Sequence, residues 1–210
     1  MARIIFSVLL IIGLYPGVAQ DNKWMFLLAI LPGVYTHDQI SLRNNNPLII
    51  GLIPFSRKNL YGELRYNYDF KNTLGLYLGR SFKREKKTTH ILTPQLGLLN
   101  GDFKGLSYQL YYQVIGNNFE VNYQNQFSLQ NAETQKKFYY NWSDVQLVIK
   151  EYFRLGGSVQ FYRGFDKNYL DPGLLAGYRT PRLFVVLFDF NFHDLSKHYF
   201  FLGLQYTITK

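Results

Sequence analysis

The 210-residue chain contains no cysteine, which excludes disulfide frameworks, thiolate metal sites and a lipidated cysteine anchor. Histidine is nearly as scarce. His37, His90, His193 and His198 are the only four, and none is followed by Ser two residues on. A His-x-Ser pair, in which the imidazole activates the hydroxyl as general base, is therefore missing. His193-Asp194 is the nearest approach to a catalytic pair, and a hydrolase is the least expected function. Long apolar runs are missing as well: none approaches the about 20 residues of a membrane-crossing helix, and no stretch has a convincing helical period. Neither a catalytic residue nor a cofactor or metal ligand is assigned.

The N-terminus fits an export leader. Met-Ala-Arg precedes an apolar run over 4–14, then Pro16-Gly17 and a small residue at Ala19. A short basic start, an apolar core and a small-residue cleavage site are the marks of a signal peptide, here residues 1–19. The mature chain is then a single domain over 20–210. Without Arg3 it keeps 22 basic residues against 14 acidic. The thirteen lysines fall at chain ends, turns and strand edges, and do not cluster on one face. Nucleic acid is not an expected partner, because a nucleic-acid surface gathers its cations on one face. Bands of Lys at strand ends suit lipid headgroups instead.

What the chain does have is aromatic residues and turns, with 18 Tyr, 18 Phe and 17 Gly. The segment 60–70 shows the pattern most clearly. Leu60, Gly62, Leu64, Tyr66, Tyr68 and Phe70 alternate with Tyr61, Glu63, Arg65, Asn67 and Asp69. Side chains alternate faces along a strand, so one face is apolar and the other polar. Twelve such segments are expected: 24–35, 47–55, 60–70, 73–83, 90–100, 103–115, 119–129, 138–149, 153–163, 173–179, 183–192 and 198–209. Counts of ten or eight are the alternatives. Asn100-Gly101 predicts a type I′ turn, because both central positions there need positive φ. Aromatics on even positions before Ser143-Asp144, and aliphatics on odd positions after it, predict a bulge. The connections 36–46, 130–137, 164–172 and 193–197 are expected on one side of the sheet, and shorter turns on the other.

These features predict an all-β transmembrane antiparallel up-and-down barrel. A water-soluble lipocalin-like barrel fits less well. Its surface would carry interspersed Lys and Glu, whereas the polar face here is Gln, Asn, Ser, Thr, Gly and Tyr. In signal peptide, alternating segments, aromatic bands and closing strand, the chain resembles the small, porin-like bacterial outer-membrane β-barrel proteins. The resemblance implies a Gram-negative outer-membrane location, with outer-membrane lipid and other envelope proteins as partners. It implies a channel for small polar solutes or oligosaccharides, with a non-conducting accessory or structural barrel as the alternative. The chain departs from many such barrels in ending Thr-Ile-Thr-Lys210 rather than on an aromatic residue. By strand phase the lumen-lining candidates are Glu63, Arg65, Asp69, Glu120, Asp144, Arg154, Arg179 and Asp189. They form either internal ion pairs or a constriction that selects solutes by charge. Tyr77, Tyr111, Tyr162 and Tyr199 share their phase.

Overall fold

The computed structural model describes residues 7–10, 25–35, 51–66, 68–70, 72–131, 136–165 and 167–209. They form fourteen strands: β1 (Ser7–Leu10), β2 (Met25–Tyr35), β3 (Gly51–Arg57), β4 (Leu60–Tyr66), β5 (Thr73–Arg80), β6 (Phe82–Glu85) and β7 (Thr89–Gly101), followed by β8 (Gly105–Ile115), β9 (Phe119–Gln130), β10 (Lys137–Ile149), β11 (Phe153–Gly164), β12 (Lys167–Arg179), β13 (Leu183–Phe190) and β14 (Tyr199–Thr209). No helix occurs among the described residues.

Every pairing is antiparallel and joins neighbours in sequence, until β2 closes the ring. β2 pairs with β14 from Met25↔Thr209 to Tyr35↔Tyr199, and with β3 from Met25↔Ser56 to Ile30↔Gly51. β5 and β6 are parts of one stave, since both pair with β7. Ser81 separates them and donates its N–H to the Asn59 carbonyl at 2.8 Å. The result is a closed twelve-strand up-and-down barrel. Closure leaves no free sheet edge around the ring, which is the condition for β-structure in a bilayer. The extra strand, β1, lies beside Leu31 and Gly33 of β2, beyond the stretch where β3 pairs.

Alternation fixes what faces where. On β5, Thr73, Gly75 and Tyr77 are buried while Leu74, Leu76 and Leu78 are exposed. On β7, Ile91, Thr93, Gln95 and Leu99 point inward against Leu92, Leu96 and Leu98 outward. β8 repeats this with Ser107, Gln109 and Tyr111 against Leu106, Tyr108 and Leu110. Along these three strands the outer wall is thus apolar and the interior mostly polar, the inverse of a water-soluble protein. The lower end carries the turns at 58–59, 86–88, 116–118, 150–152 and 180–182. The upper end carries the connections from β7 to β8, β9 to β10, β11 to β12 and β13 to β14, and the bend at 68–70.

Several expectations are corrected. β12 begins at Lys167, so the long connection 164–172 is a tight hairpin, with Phe165 at φ 49°. β10 pairs residue for residue with both neighbours through Ser143 and Asp144, so there is no bulge. Its aromatics, Phe138 and Trp142, face the lumen together with Gln146 in one unbroken phase. Asn100 is an ordinary strand residue, and the turn falls at Asp102–Lys104. Gly101 closes β7 at φ 143°, where a Cβ would sit 2.0 Å from the Asn72 carbonyl. β4 stops at Tyr66, and Tyr68 and Phe70 turn over the barrel mouth and leave the outer aromatic band. Trp24, the connection 36–46, residues 47–50, the middle of 130–137 and the leader boundary at Ala19 lie outside the described residues.

Candidate functional site: the barrel interior

β4 carries the core of the site because its odd residues face the lumen near the upper end. Glu63 and Arg65 are both 0% exposed. Arg65 Nε donates to Glu63 Oε2 at 2.7 Å, and Nη2 bonds the same oxygen, giving a two-pronged pair. Its Nη1 donates to Asp69 Oδ1 at 3.1 Å. A planar guanidinium suits this work because its five donors form a fixed fork. The ring of Tyr77 lies 4.1 Å from the guanidinium carbon and that of Tyr68 4.6 Å, which adds cation–π attraction.

The network crosses the lumen. Arg65 reaches Tyr111 Oη on β8 at 2.5 Å and Gln126 Oε1 on β9 at 3.4 Å. Gln126 Nε2 donates to Asp69 Oδ1 at 2.7 Å, and Tyr68 Oη donates to Gln124 Oε1 at 3.0 Å. Tyr61 Oη supplies Glu63 Oε1 at 2.5 Å. Two carboxylates and one guanidinium are therefore enclosed, with Glu63 Oε1, Glu63 Oε2 and Asp69 Oδ1 each meeting a donor. That satisfaction is what makes burying them tolerable. Above the network, Phe103, Phe138 and Phe165 pack with Phe70 to cap the mouth, with Phe103 and Phe138 centroids 5.3 Å apart.

A second cluster occupies the lower end. Glu120 on β9 accepts from Arg154 Nη2 at 3.2 Å and from Arg179 Nη1 at 3.2 Å, linking β9 to β11 and β12. Asp144, one strand over, accepts from Asn122 Nδ2 at 2.9 Å and Gln146 Nε2 at 2.5 Å. The structure thus places Glu63, Arg65 and Asp69 in one network and Glu120, Arg154 and Arg179 in another, with Asp144 beside the second. Asp189 joins neither. It lies on the face of β13 that carries Leu183 and Leu187, and its Oδ1 sits 2.6 Å from His198 Nε2. His193 and Asp194 are not brought together as a pair. Asp194 accepts from Ser196 Oγ at 2.6 Å and meets Lys197 at 3.2 Å. The Ser196 hydroxyl, with Lys197 nearby, holds the Asp194 carboxyl below its ordinary range.

The sequence reading missed the other half of the lining. Phe184, Val186, Phe188 and Phe190 of β13 point inward, each no more than 2% exposed. Trp142 spans from β10 to meet Phe188 at 5.1 Å and Phe190 at 6.0 Å. Tyr199 stacks on Phe190 at 5.1 Å, and Phe201 closes the group. The signal that marks this face lies on the neighbouring strand. Gly173 and Gly177 sit opposite Phe190 and Val186, and a Cβ at Gly173 would stand 2.6 Å from the Phe190 ring. Small residues on β12 make room for large ones on β13.

No protein-family model matches the chain, and comparison with curated proteins returns no match.

Proposed function

We propose that this chain is an outer-membrane β-barrel of a Gram-negative envelope, exported by a leader cut near Ala19. We further infer that it is a closed, non-conducting barrel acting as an accessory or structural subunit among other envelope proteins. One observation carries the second statement: the lumen is crossed at Arg65 by charged and aromatic side chains that water does not reach. Arg65 and Tyr77 are each 0% exposed and Gln126 is 1%. An open pore would leave such residues wet. The membrane location is supported by the outer wall, where Leu96 and Leu98 are each 63% exposed in an outward row that runs Leu92, Pro94, Leu96 and Leu98.

A second reading is a porin-like channel for small polar solutes or oligosaccharides. It is favoured by Gln95 and Gln109, paired across β7 and β8. Both amides are buried, and among the described residues neither finds a hydrogen-bond partner. Water or a solute hydroxyl in a hydrated lumen would satisfy them. Planar-bilayer recording on refolded protein decides between the two. The accessory role predicts protein that migrates heat-modifiably on gels, inserts into vesicles and gives no steady conductance. Discrete conductance steps would replace it with the channel. Recovery as a soluble periplasmic protein would sink both.

A further inference from the structure

The lower end of the barrel is rich in exposed cations. Its exposed residues include Arg57, Lys58, Arg80, Lys83, Arg84, Lys86, Lys87, Lys150 and Arg182, against Glu85 and Glu151. Three of the arginines are arranged by register. Arg57 on β3 stands opposite Leu60 on β4, and Leu60 stands opposite Arg80 on β5. At about 4.8 Å per strand, the two arginine backbones are about 10 Å apart on one outward-facing row. Arg84 lies on the same face of β6, opposite His90 of β7.

This face is the lower rim of the lipid-facing wall. Leu74, Leu76, Leu78, Arg80, Phe82 and Arg84 succeed one another on alternate positions. From Leu74 to Phe82 is about 26 Å of strand, or about 20 Å of depth at a 40° tilt, near the thickness of a barrel's apolar band. Phe82 and Leu92, opposite each other, are 52% and 39% exposed and mark where that band ends. The Arg80 guanidinium lies 5.5 Å from the Phe82 ring. Among the described residues, neither Arg80 nor Arg84 has a carboxylate within 4 Å, and Glu85 is engaged by Lys83. His90 is held in place by the Thr88 and Tyr112 hydroxyls, each at 2.8 Å. The stave runs four residues beyond its β4 neighbour: past Asn59, Phe82–Glu85 pairs with β7 alone.

We propose that Arg57, Arg80 and Arg84 form a binding site for the phosphate of an anionic glycerophospholipid in the leaflet at the lower end. The acyl chains lie along Leu78, Phe82 and Leu92. Down this wall Arg80 and Arg84 alternate with the last apolar residues, Leu78 and Phe82, so a phosphate held by the two arginines keeps its acyl chains against apolar positions of the same face. An acidic protein would match the charge but not the apolar residues on the same face. The inference rests on the membrane-spanning reading. Arginine suits the role, since its fork binds phosphate oxygens two at a time.

The test is native mass spectrometry of the detergent-purified full chain, mixed with phosphatidylglycerol or with phosphatidylcholine of the same acyl chains. The expected result is retention of phosphatidylglycerol at least about tenfold over phosphatidylcholine, with a loss of about fivefold for each arginine removed in R80Q/R84Q. K104Q/K136Q, at the upper end, leaves retention unchanged. Should the double variant not fold, R84Q alone is read, since it lies outside the closed ring. Equal retention of the two lipids, or a variant indistinguishable from wild type, overturns the proposal. Displacement by millimolar inorganic phosphate also overturns it, because the site is then not a lipid site. Vesicle insertion is scored in parallel by heat-modifiable migration. Failure to insert removes the membrane-spanning reading itself, whereas an inserted barrel without lipid preference removes only this site.

Discussion

The two halves of the lumen face each other in the same alternating geometry, yet they are filled by opposite means. From β4 to β9 the inward positions are Glu63, Arg65, Gln95, Gln109, Gln113, Gln124 and Gln126, with tyrosines between. From β10 to β14 the bulk of the inward volume is Phe138, Trp142, Leu175, Phe184, Phe188, Phe190 and Phe201, with Gln146, Arg154, Gln160 and Gln205 interspersed. A polar interior is directional: each donor must meet its acceptor, and a missing partner leaves a desolvated group behind. An aromatic interior is not directional, and it fails through lost volume. The comparison therefore separates two jobs. Hydrogen bonds across the lumen set the register of the first half, and ring volume fills the second.

The largest expected effect comes from breaking the directional half. Arg65→Met leaves Glu63 and Asp69 buried beside each other without their cation. Removing one partner of a buried pair costs about 3–5 kcal/mol. Urea titration of the vesicle-inserted protein, scored by heat-modifiable migration, should show most of the fold lost. Adding Glu63→Gln and Asp69→Asn to that variant should restore much of the stability, because the uncompensated charge has gone. No recovery would mean that the network acts through packing and not through charge.

Phe190→Ala is the matching test of the aromatic half. Phe190 is 0% exposed and touches Trp142, Phe188, Tyr199 and Phe201. A truncation of this kind costs about 3 kcal/mol or more, depending on how far the site collapses. Its signature differs from that of Arg65→Met, since no second substitution to a neutral isostere should rescue it. Keeping part of the volume should soften the loss: Phe190→Leu is expected to lose clearly less than Phe190→Ala. The same urea series reads both halves on one scale.

Moving outward, Leu96→Arg asks what solvent surrounds the wall. Leu96 points away from the lumen between Pro94 and Leu98. In a bilayer an arginine there costs about 2–4 kcal/mol near the midplane. On a water-facing wall the same change at a residue 63% exposed would leave stability unchanged within about 0.5 kcal/mol. Urea midpoints in vesicles should therefore fall for Leu96→Arg and stay in place for Lys104→Arg at the upper rim.

Alternation made one half of this interior readable and hid the other. On β4, Glu63 and Arg65 sit opposite Leu64 and Tyr66 in polarity, so the inward face could be assigned from the strand alone. β13 offers no such contrast. Leu183, Val185 and Leu187 are as apolar as Phe184, Val186 and Phe188, and only the glycines of β12 show which set needs room. On an apolar strand a lone carboxylate draws the polar label, yet Asp189 shares the face of Leu183 and Leu187 and meets His198. The aromatics of β10 misled in a related way. Equating rings with lipid puts Phe138 and Trp142 out of phase with Val145 and Leu147 and calls for a bulge, whereas the rings face the lumen and the pairing is unbroken. Where β4 ends was equally hidden. The polar–apolar pattern continues through Phe70, but the hydrogen bond of Tyr68 to Gln124 belongs to the opposite wall and has no trace in the local sequence.

The smallest expected effect bears most directly on what the polar half is for. Gln95 and Gln109 are 4% exposed, lie side by side on β7 and β8, and have amides without a partner among the described residues. In a dry lumen each is a desolvated group that gains nothing from its polarity. Gln109→Met then keeps the volume, removes the penalty and should be neutral or stabilising by up to about 1 kcal/mol. In a hydrated lumen those amides hold ordered water, and the same change should destabilise by a similar amount. The sign of a sub-kilocalorie shift in the urea midpoint thus separates a filled barrel from one with a water path. It does so without a conductance measurement, and independently of whether any solute has been identified. A stabilised Gln109→Met that still conducted would place the path along another part of the wall than Gln95 and Gln109.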